Sequence, residues 1–352
     1  MKHIFYFATT LLLLLGTTTN TQAQGYIMLK SGDKQITINE QQIEEFFENL
    51  EERISDFAES IDTNHIEFTF GDNTFAEAKV TRNDGALSNG KGSDRFRGSN
   101  RIITEERQVS SNYRGVVASR AVKVTLDDRA GSTAIIRAND NLMPYISIKE
   151  NDGVLHITID DEIRTMNNIT AEVSLPKSAR ISELKATSAA KINVEHNIEA
   201  SELDIEASSA ADIRIAKADV SECDIELSSA ASIVASIKAT ECSIEATSAA
   251  KANVNLLVNN CEAEASSAAD ITLSGKAGSL NLEASSAADI KATEVDVMVG
   301  TIADASSGAN IKVSAGKSLK AQASSGGTVA YKGSHDLDVH IKKSSGGSVR
   351  QM

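Results

Sequence analysis

From about residue 105 onward the chain alternates apolar and polar residues, and nine times in its second half a short run of small residues interrupts the alternation. The copies run from ATSAAKI (186–192) through ASSAADI (207–213) to KSSGGSV (343–349). Their second hydroxyl-bearing residue is Ser188, Ser209, Ser229, Ser248, Ser267, Ser286, Ser307, Ser325 and Ser345, with steps of 18 to 21 residues. A period near 20 marks one structural unit stacked on the next. Counted from that serine, six residues before stand Leu203, Cys223, Cys242, Cys261 and Leu280; four before stand Leu184, Ile205, Ile225, Ile244 and Leu282. Four after stand Ile192, Ile213, Ile233, Ile271, Ile290 and Ile311, while the odd offsets hold Glu, Asp, Lys, Ser, Thr and Asn. Period-two alternation means strand with one buried face, and no 3.6-residue spacing competes with it. The pattern therefore predicts an all-β fold: a parallel β-solenoid, or β-helix, of about nine coils of 18–21 residues, with like residues stacked into ladders. The small-residue phrase reads as a tight corner. Its counted serine falls on the inward parity, so its hydroxyl is expected to need a partner.

The stretches 115–126, 132–137, 145–149, 154–159 and 169–175 also alternate or are β-branched, with turn signals such as Asn151-Asp152-Gly153 between them. This block lacks the Ser-Ser phrase and reads as a non-repetitive β cap that covers the raw edge of the first coil. The solenoid domain with its cap is placed at 105–352. Residues 83–104, rich in Gly, Ser, Asn and charge, read as a linker. Residues 24–82 read as a small α+β segment. It has a hairpin turning at Ser31-Gly32-Asp33, a strand at 65–70, and one amphipathic helix carrying Ile43, Phe46, Phe47, Leu50, Ile54, Phe57 and Ile61. Residues 1–23 read as a signal peptide: Lys2, an apolar core over 4–15, and Thr21-Gln22-Ala23 at the cleavage position.

Composition narrows the chemistry. A net charge of −14 argues against nucleic acid and anionic membrane surfaces. With no Trp and 4% aromatics, the core must be built from small aliphatic side chains. Past the signal peptide no apolar run is long enough to span a bilayer.

The three cysteines, Cys223, Cys242 and Cys261, share one position in three successive coils. They read as a buried column of small hydrophobes; a disulfide between neighbours is geometrically open at a strand spacing of about 4.8 Å. Five carboxylates, Glu206, Glu226, Glu245, Glu264 and Glu283, stand three residues before the serine. They form either a divalent-cation ladder or a solvated face that keeps the rod soluble. Asp270 and Asp289 occupy neighbouring coils, with Asp212 further off, and are the residues a polysaccharide-cleaving reading would use. Ser232 and Lys251 interrupt that row, and nine equivalent serines without a histidine at repeat spacing argue against nucleophilic catalysis. The six histidines are scattered and read as surface or loop residues. No catalytic, cofactor-binding or metal-ligating residue is assigned, and no cofactor is expected.

The segment 106–126 (ERQVSSNYRGVVASRAVKVTL), the stretch 141–159 and the Ser-Ala-Ala coils that follow resemble the head-GIN-domain family of putative auto-transporter adhesins. The resemblance implies an exported, cell-envelope β-solenoid of the Bacteroidetes type, and it brings no catalytic residues. Together these readings describe a non-enzymatic, adhesin-like or structural protein of the periplasm or outer cell surface that offers repeated polar surfaces to a protein or glycan. The alternatives are a glycan-binding or polysaccharide-acting envelope protein, and a periplasmic signalling or assembly partner docking through the 43–61 helix.

Overall fold

In a computed structural model of the chain, the described residues are the strands at 26–31, 34–39, 65–70 and 73–79, and residues 95–352 except 128–130 and 179. The signal peptide and the 43–61 helix read from the sequence lie outside them. The chain divides into two compact units, residues 1–92 and 93–352. In the first, strands β1 (Tyr26–Ser31), β2 (Lys34–Asn39), β3 (His65–Phe70) and β4 (Asn73–Lys79) form an antiparallel sheet in the order β2-β1-β3-β4. The hairpin expected from alternation is the β1–β2 pair, with Tyr26 opposite Asn39.

The second unit is β throughout its described residues apart from one short 3₁₀ turn at Met143–Tyr145. It opens with β5 (Arg95–Arg97), β6 (Ile102–Gln108), β7 (Gly115–Ala118), β8 (Lys123–Asp127), β9 (Thr133–Asn139), β10 (Ile146–Asn151), β11 (Val154–Ile159), β12 (Thr165–Asn167) and β13 (Ala171–Pro176). The stack is entered out of sequence order. Strand β11 lies parallel on β7, and β13 lies parallel on β8, while the antiparallel strands β10, β9 and β6 close the top. Tyr113 pins this cap from within: its hydroxyl donates to the Pro176 carbonyl, and Ser178 Oγ donates to the Tyr113 carbonyl. Burial and, secondarily, the Asp127 charge push the Tyr113 hydroxyl well above its usual range.

From there every coil is parallel to the last. The strands are β14 (Glu183–Ala186), β15 (Lys191–Ala207), β16 (Asp212–Leu227), β17 (Ser232–Ala246), β18 (Lys251–Ala265), β19 (Asp270–Ala284) and β20 (Asp289–Ala305), then β21 (Asn310–Ser314), β22 (Ser318–Ala323), β23 (Thr328–Lys332), β24 (Asp338–Lys343) and β25 (Ser348–Gln351). Strand β14 pairs with both β7 and the end of β15, and the start of β15 pairs with β8. The register follows the repeat: Ile225 pairs Ile244 and Ile244 pairs Ala263, as Ile213 pairs Ile233. Two-residue alternation of buried and exposed positions runs along each long strand, reset where two successive residues are exposed, as at Ser221 with Glu222 and at Asn259 with Asn260, and the apolar set faces one continuous core.

The small-residue phrase is a type I′ turn. In the copy at 187–190, Ser188 and Ala189 have φ of 54° and 60°, and the Ala190 N–H donates to the Thr187 carbonyl at 3.1 Å. The sequence reading placed the counted serine inward; the structure puts it outside. Two successive left-handed residues break the alternation, so Ser188, Ser209 and their equivalents are exposed and the alanine two positions on turns in instead. Ser and Ala suit the site because a left-handed φ disfavours branched side chains, and Gly takes the second place at Gly308, Gly326 and Gly346. The turns are linked along the axis: Ala189 N–H donates to the Ser209 carbonyl at 2.9 Å, Ala210 to Ser229 at 2.9 Å, and so on to Gly326 and Ser345 at 3.2 Å.

This ladder begins one coil earlier than the sequence reading allowed. The cap, thought to lack the motif, contains Ala118-Ser119-Arg120-Ala121-Val122, in which Arg120 and Ala121 have φ of 60° and 59° and the Ala121 N–H donates to Ser188. Arginine in place of the second serine concealed the copy. The cap is thus the solenoid's own first coil, with antiparallel strands folded over it.

Candidate functional site

The turn ladder forms a ridge along one side of the solenoid, with a groove on each flank. The first groove lies between the column three residues before the counted serine and the hydroxyl column one residue before it. It is described by two adjoining hollows of ≈ 330 and ≈ 350 Å³ that share Glu245 and together run from Lys185 to Gln322. The five glutamates singled out from the sequence line it in register: Glu206 pairs Glu226, then Glu245, Glu264 and Glu283, and the column continues through Asp304 to Gln322. On the ridge side, hydroxyls bond one another across coils, with Thr187 and Ser208 3.1 Å apart and Ser266 donating to Thr247 at 3.0 Å.

Charge in this groove is compensated at one end and crowded in the middle. Lys185 Nζ lies 3.0 Å from Glu206, a pairing that holds the lysine above its usual range. Glu264 is pushed up by partial desolvation and by the carboxylates of Glu283, Glu262 and Glu245. The sequence reading singled out one acidic column, whereas the face carries three. Asp204 and Asp224 stand five residues before the serine, and Glu202, Glu222 and Glu241 stand seven before it, paired in register. Asp204 is likewise pushed up, by burial first and then by Asp224. One carboxylate oxygen each of Glu202, Asp204 and Asp224 lie within 4.8 Å of one another. The missed columns were visible as acidic residues at other odd offsets; only their stacking on the same flat face gives them weight.

The second groove, ≈ 500 Å³, lies on the other flank and is lined by Ser232, Val234, Lys251, Asn253, Asp270, Thr272, Asp289, Lys291, Asn310 and Lys312. Asp270 and Asp289 are in register on β19 and β20, as their spacing required. Each has a local partner: Lys251 Nζ is 3.9 Å from Asp270, and Asn310 donates to Asp289 at 2.9 Å. Further along, Asp212 is held by Arg214 at 3.0 Å and by Ser232 at 2.9 Å. One flank thus alternates charges and neutralises them, while the other concentrates carboxylates.

The remaining sequence candidates fall as follows. Cys223, Cys242 and Cys261 are in register on β16, β17 and β18 and are buried as free thiols. His335 and His340 are exposed beside Asp336 and Asp338. His196 is not the surface or loop residue expected. It is 3% exposed, because the alternation that buries Ile192, Val194 and Ile198 runs unbroken through it. Among the described residues no helix is long and apolar enough to cross a membrane.

Comparison with known proteins agrees with this architecture. The sequence profile of the family described as "Putative auto-transporter adhesin, head GIN domain" matches residues 112–253 and 234–334. No curated protein matches the chain. A solved "putative adhesin" from Parabacteroides merdae superposes with a TM-score of 0.56 at 19% identity, covering 74% of this chain and 100% of its own. A "putative adhesin" from Parabacteroides distasonis gives 0.55 at 18% identity, with 74% and 100% coverage. A "putative lipid binding protein" from the same species gives 0.52 at 13% identity, with 73% and 99% coverage. At these identities the three share the fold with this chain.

Proposed function

Because the chain belongs to the family of putative auto-transporter adhesins with a head GIN domain, we propose that it is an exported, non-enzymatic adhesin-like protein whose grooved sides engage a partner along the solenoid axis. The observation that carries this reading is the carboxylate-and-hydroxyl groove, which repeats the same groups coil after coil from Lys185 to Gln322. A groove of this kind suits a linear ligand, a glycan or an extended peptide, whose repeats meet like groups at a spacing of about 4.8 Å per coil. Each contact is weak in water, and affinity comes from many contacts made in one geometry. The aromatic-poor composition favours hydrogen bonding and charge over ring stacking as the means of recognition.

Export to the cell envelope rests on the 1–23 signal and on the family; periplasm and outer surface are separated by experiment. Protease added to intact cells cleaves a surface protein and spares a periplasmic one, and full protection would remove the role in adhesion to outside surfaces. Binding is tested with the purified mature chain on glycan arrays and on surfaces coated with envelope or matrix proteins. The triple variant Glu226→Gln, Glu245→Gln, Glu264→Gln is expected to lose most of the wild-type signal. Equal binding by the two proteins would move the contact away from this groove.

A further inference from the structure

We propose that the Cys223–Cys242–Cys261 column is a redox modification site that closes one disulfide between neighbouring coils, always through Cys242. The three thiols stand on adjacent parallel strands in direct register, between Leu203 above and Leu280 below. Their residues are 0%, 3% and 3% exposed. Neighbouring Cα atoms on paired strands are about 4.8 Å apart, inside the roughly 4.4–6.8 Å range that disulfides span. Cys223 and Cys261 are two coil spacings apart, roughly 9.6 Å, beyond that reach. At most one bond can therefore form, to Cys223 or to Cys261, and one thiol is always left over.

The thiols already act on one another. Weak S–H···S contacts from Cys223 and Cys261 favour the thiolate of Cys242 over those of its neighbours, which the same contacts and burial push up. Geometry makes the central cysteine the obligatory partner in whichever bond forms. In the bonding step the Cys242 thiolate attacks a small-molecule disulfide or the disulfide of an envelope oxidoreductase. An outer cysteine then displaces that group: two protein thiols become one disulfide, and the oxidant leaves as two thiols. Because the column is sealed once the coils stack, the reaction belongs to folding in an oxidising compartment. The leftover thiol sits one coil from the bond. After losing its proton it can attack Cys242, and the released outer thiolate takes up the proton, so the bond migrates along the column without net oxidation.

In-register strands hold the two Cβ atoms at roughly strand spacing, wider than the about 3.8 Å a relaxed disulfide prefers, so the bond forms under strain and is open to reduction only when the coils part. Its consequence is a covalent tie between coils in the middle of the solenoid, present or absent according to the thiol–disulfide balance in which the chain folds. This holds whatever the grooves bind.

The test uses the mature chain, unfolded in denaturant with reductant and refolded in dilute solution with oxidised and reduced glutathione. Each cysteine falls in its own tryptic peptide, because the nearest cleavage points are Lys217, Lys238, Lys251 and Lys276. Blocking free thiols and mapping the digest is expected to show a cross-linked pair that always contains the Cys242 peptide, with one blocked thiol per chain. Three blocked thiols, or a link between the Cys223 and Cys261 peptides, would overturn the proposal, and neither outcome depends on a variant folding. Cys242→Ala is expected to leave two free thiols and no link, whereas Cys223→Ala and Cys261→Ala each retain one link.

Discussion

Replacing Glu264 by Gln removes one charge from the centre of the acidic column and leaves the side-chain shape nearly unchanged. Glu245 and Glu283 are its in-register neighbours on the coils above and below. With carboxylates about 5 Å apart, each pair repels by roughly 0.8 kcal/mol in unscreened water. Two neighbours give about 1.5 kcal/mol at low ionic strength, about half of that near 0.15 M salt, and almost nothing at 1 M, where the Debye length is about 3 Å. The substitution is thus expected to stabilise the protein by about 1 kcal/mol at pH 7 and 10 mM salt. Its pH dependence follows from the direction of the Glu264 shift. The folded state holds this proton more tightly than the unfolded chain does, so the stability associated with the protonated form is fully present below the unfolded value of about 4.3 and is lost as pH rises through the folded value. The gain from Gln should therefore be largest at neutral pH and vanish near pH 3. Urea unfolding followed by far-ultraviolet circular dichroism, at two pH values and two salt concentrations, reads this directly. A loss of stability in the variant at pH 7 and low salt, or a gain that persists in 1 M salt, would refute the uncompensated ladder.

Three further substitutions probe the coil itself. Ile225→Ala empties a 1%-exposed place in the stacked column and should cost about 2–5 kcal/mol, whereas Ile341→Ala, in the same column but 46% exposed in the last coil, should cost about 1 kcal/mol; equal costs in urea titrations would contradict the difference in burial between the middle of the stack and its last coil. Ala249, with φ of 60°, should accept Gly with little change in melting temperature but lose about 1–3 kcal/mol as Val, since a branched side chain is strained in the left-handed region. Tyr113→Phe leaves the Pro176 carbonyl without its donor inside the cap and should cost about 1–3 kcal/mol. The raised ionisation of Tyr113 adds that stability is present below the usual tyrosine value of about 10 and is lost as pH rises further, which an alkaline unfolding titration of wild type and variant would show.

Much of this architecture can be read in the chain because a solenoid writes its structure locally. Period-two alternation at Ile205, Ile225 and Ile244 assigns the inner face, and the repeat length assigns the register, so the stacking of Cys223 on Cys242 follows from spacing alone. The reading failed where local rules change. Parity was carried through the corner as though the strand were continuous, yet two left-handed residues at Ser188 and Ala189 reset it and turn the serine outward. The tenth turn was hidden because Arg120 replaces the serine: the site demands a tolerated left-handed φ, not a hydroxyl, and here holds a half-buried guanidinium bonded to Asp160, Asp161 and Ile163. His196 was misplaced because the alternation that buries Ile192 and Val194 was not carried on to it. The two grooves were legible only as columns. Their contrast in charge pairing depends on which side chains the turn ridge separates, and offsets alone do not show that.

The central claim is that these repeats stack in register, one coil per strand spacing. Paired spin labels on the outward column three residues before the turn serine test it most directly. Labels at Glu206 and Asp304 are five coils apart, and labels at Lys185 and Gln322 seven, through the observed pairings. Pulsed electron resonance should give separations near 24 Å and 34 Å, growing by about 4.8 Å for each coil added. Separations that do not increase with coil number, or two pairs at the same distance, would contradict the stacked solenoid.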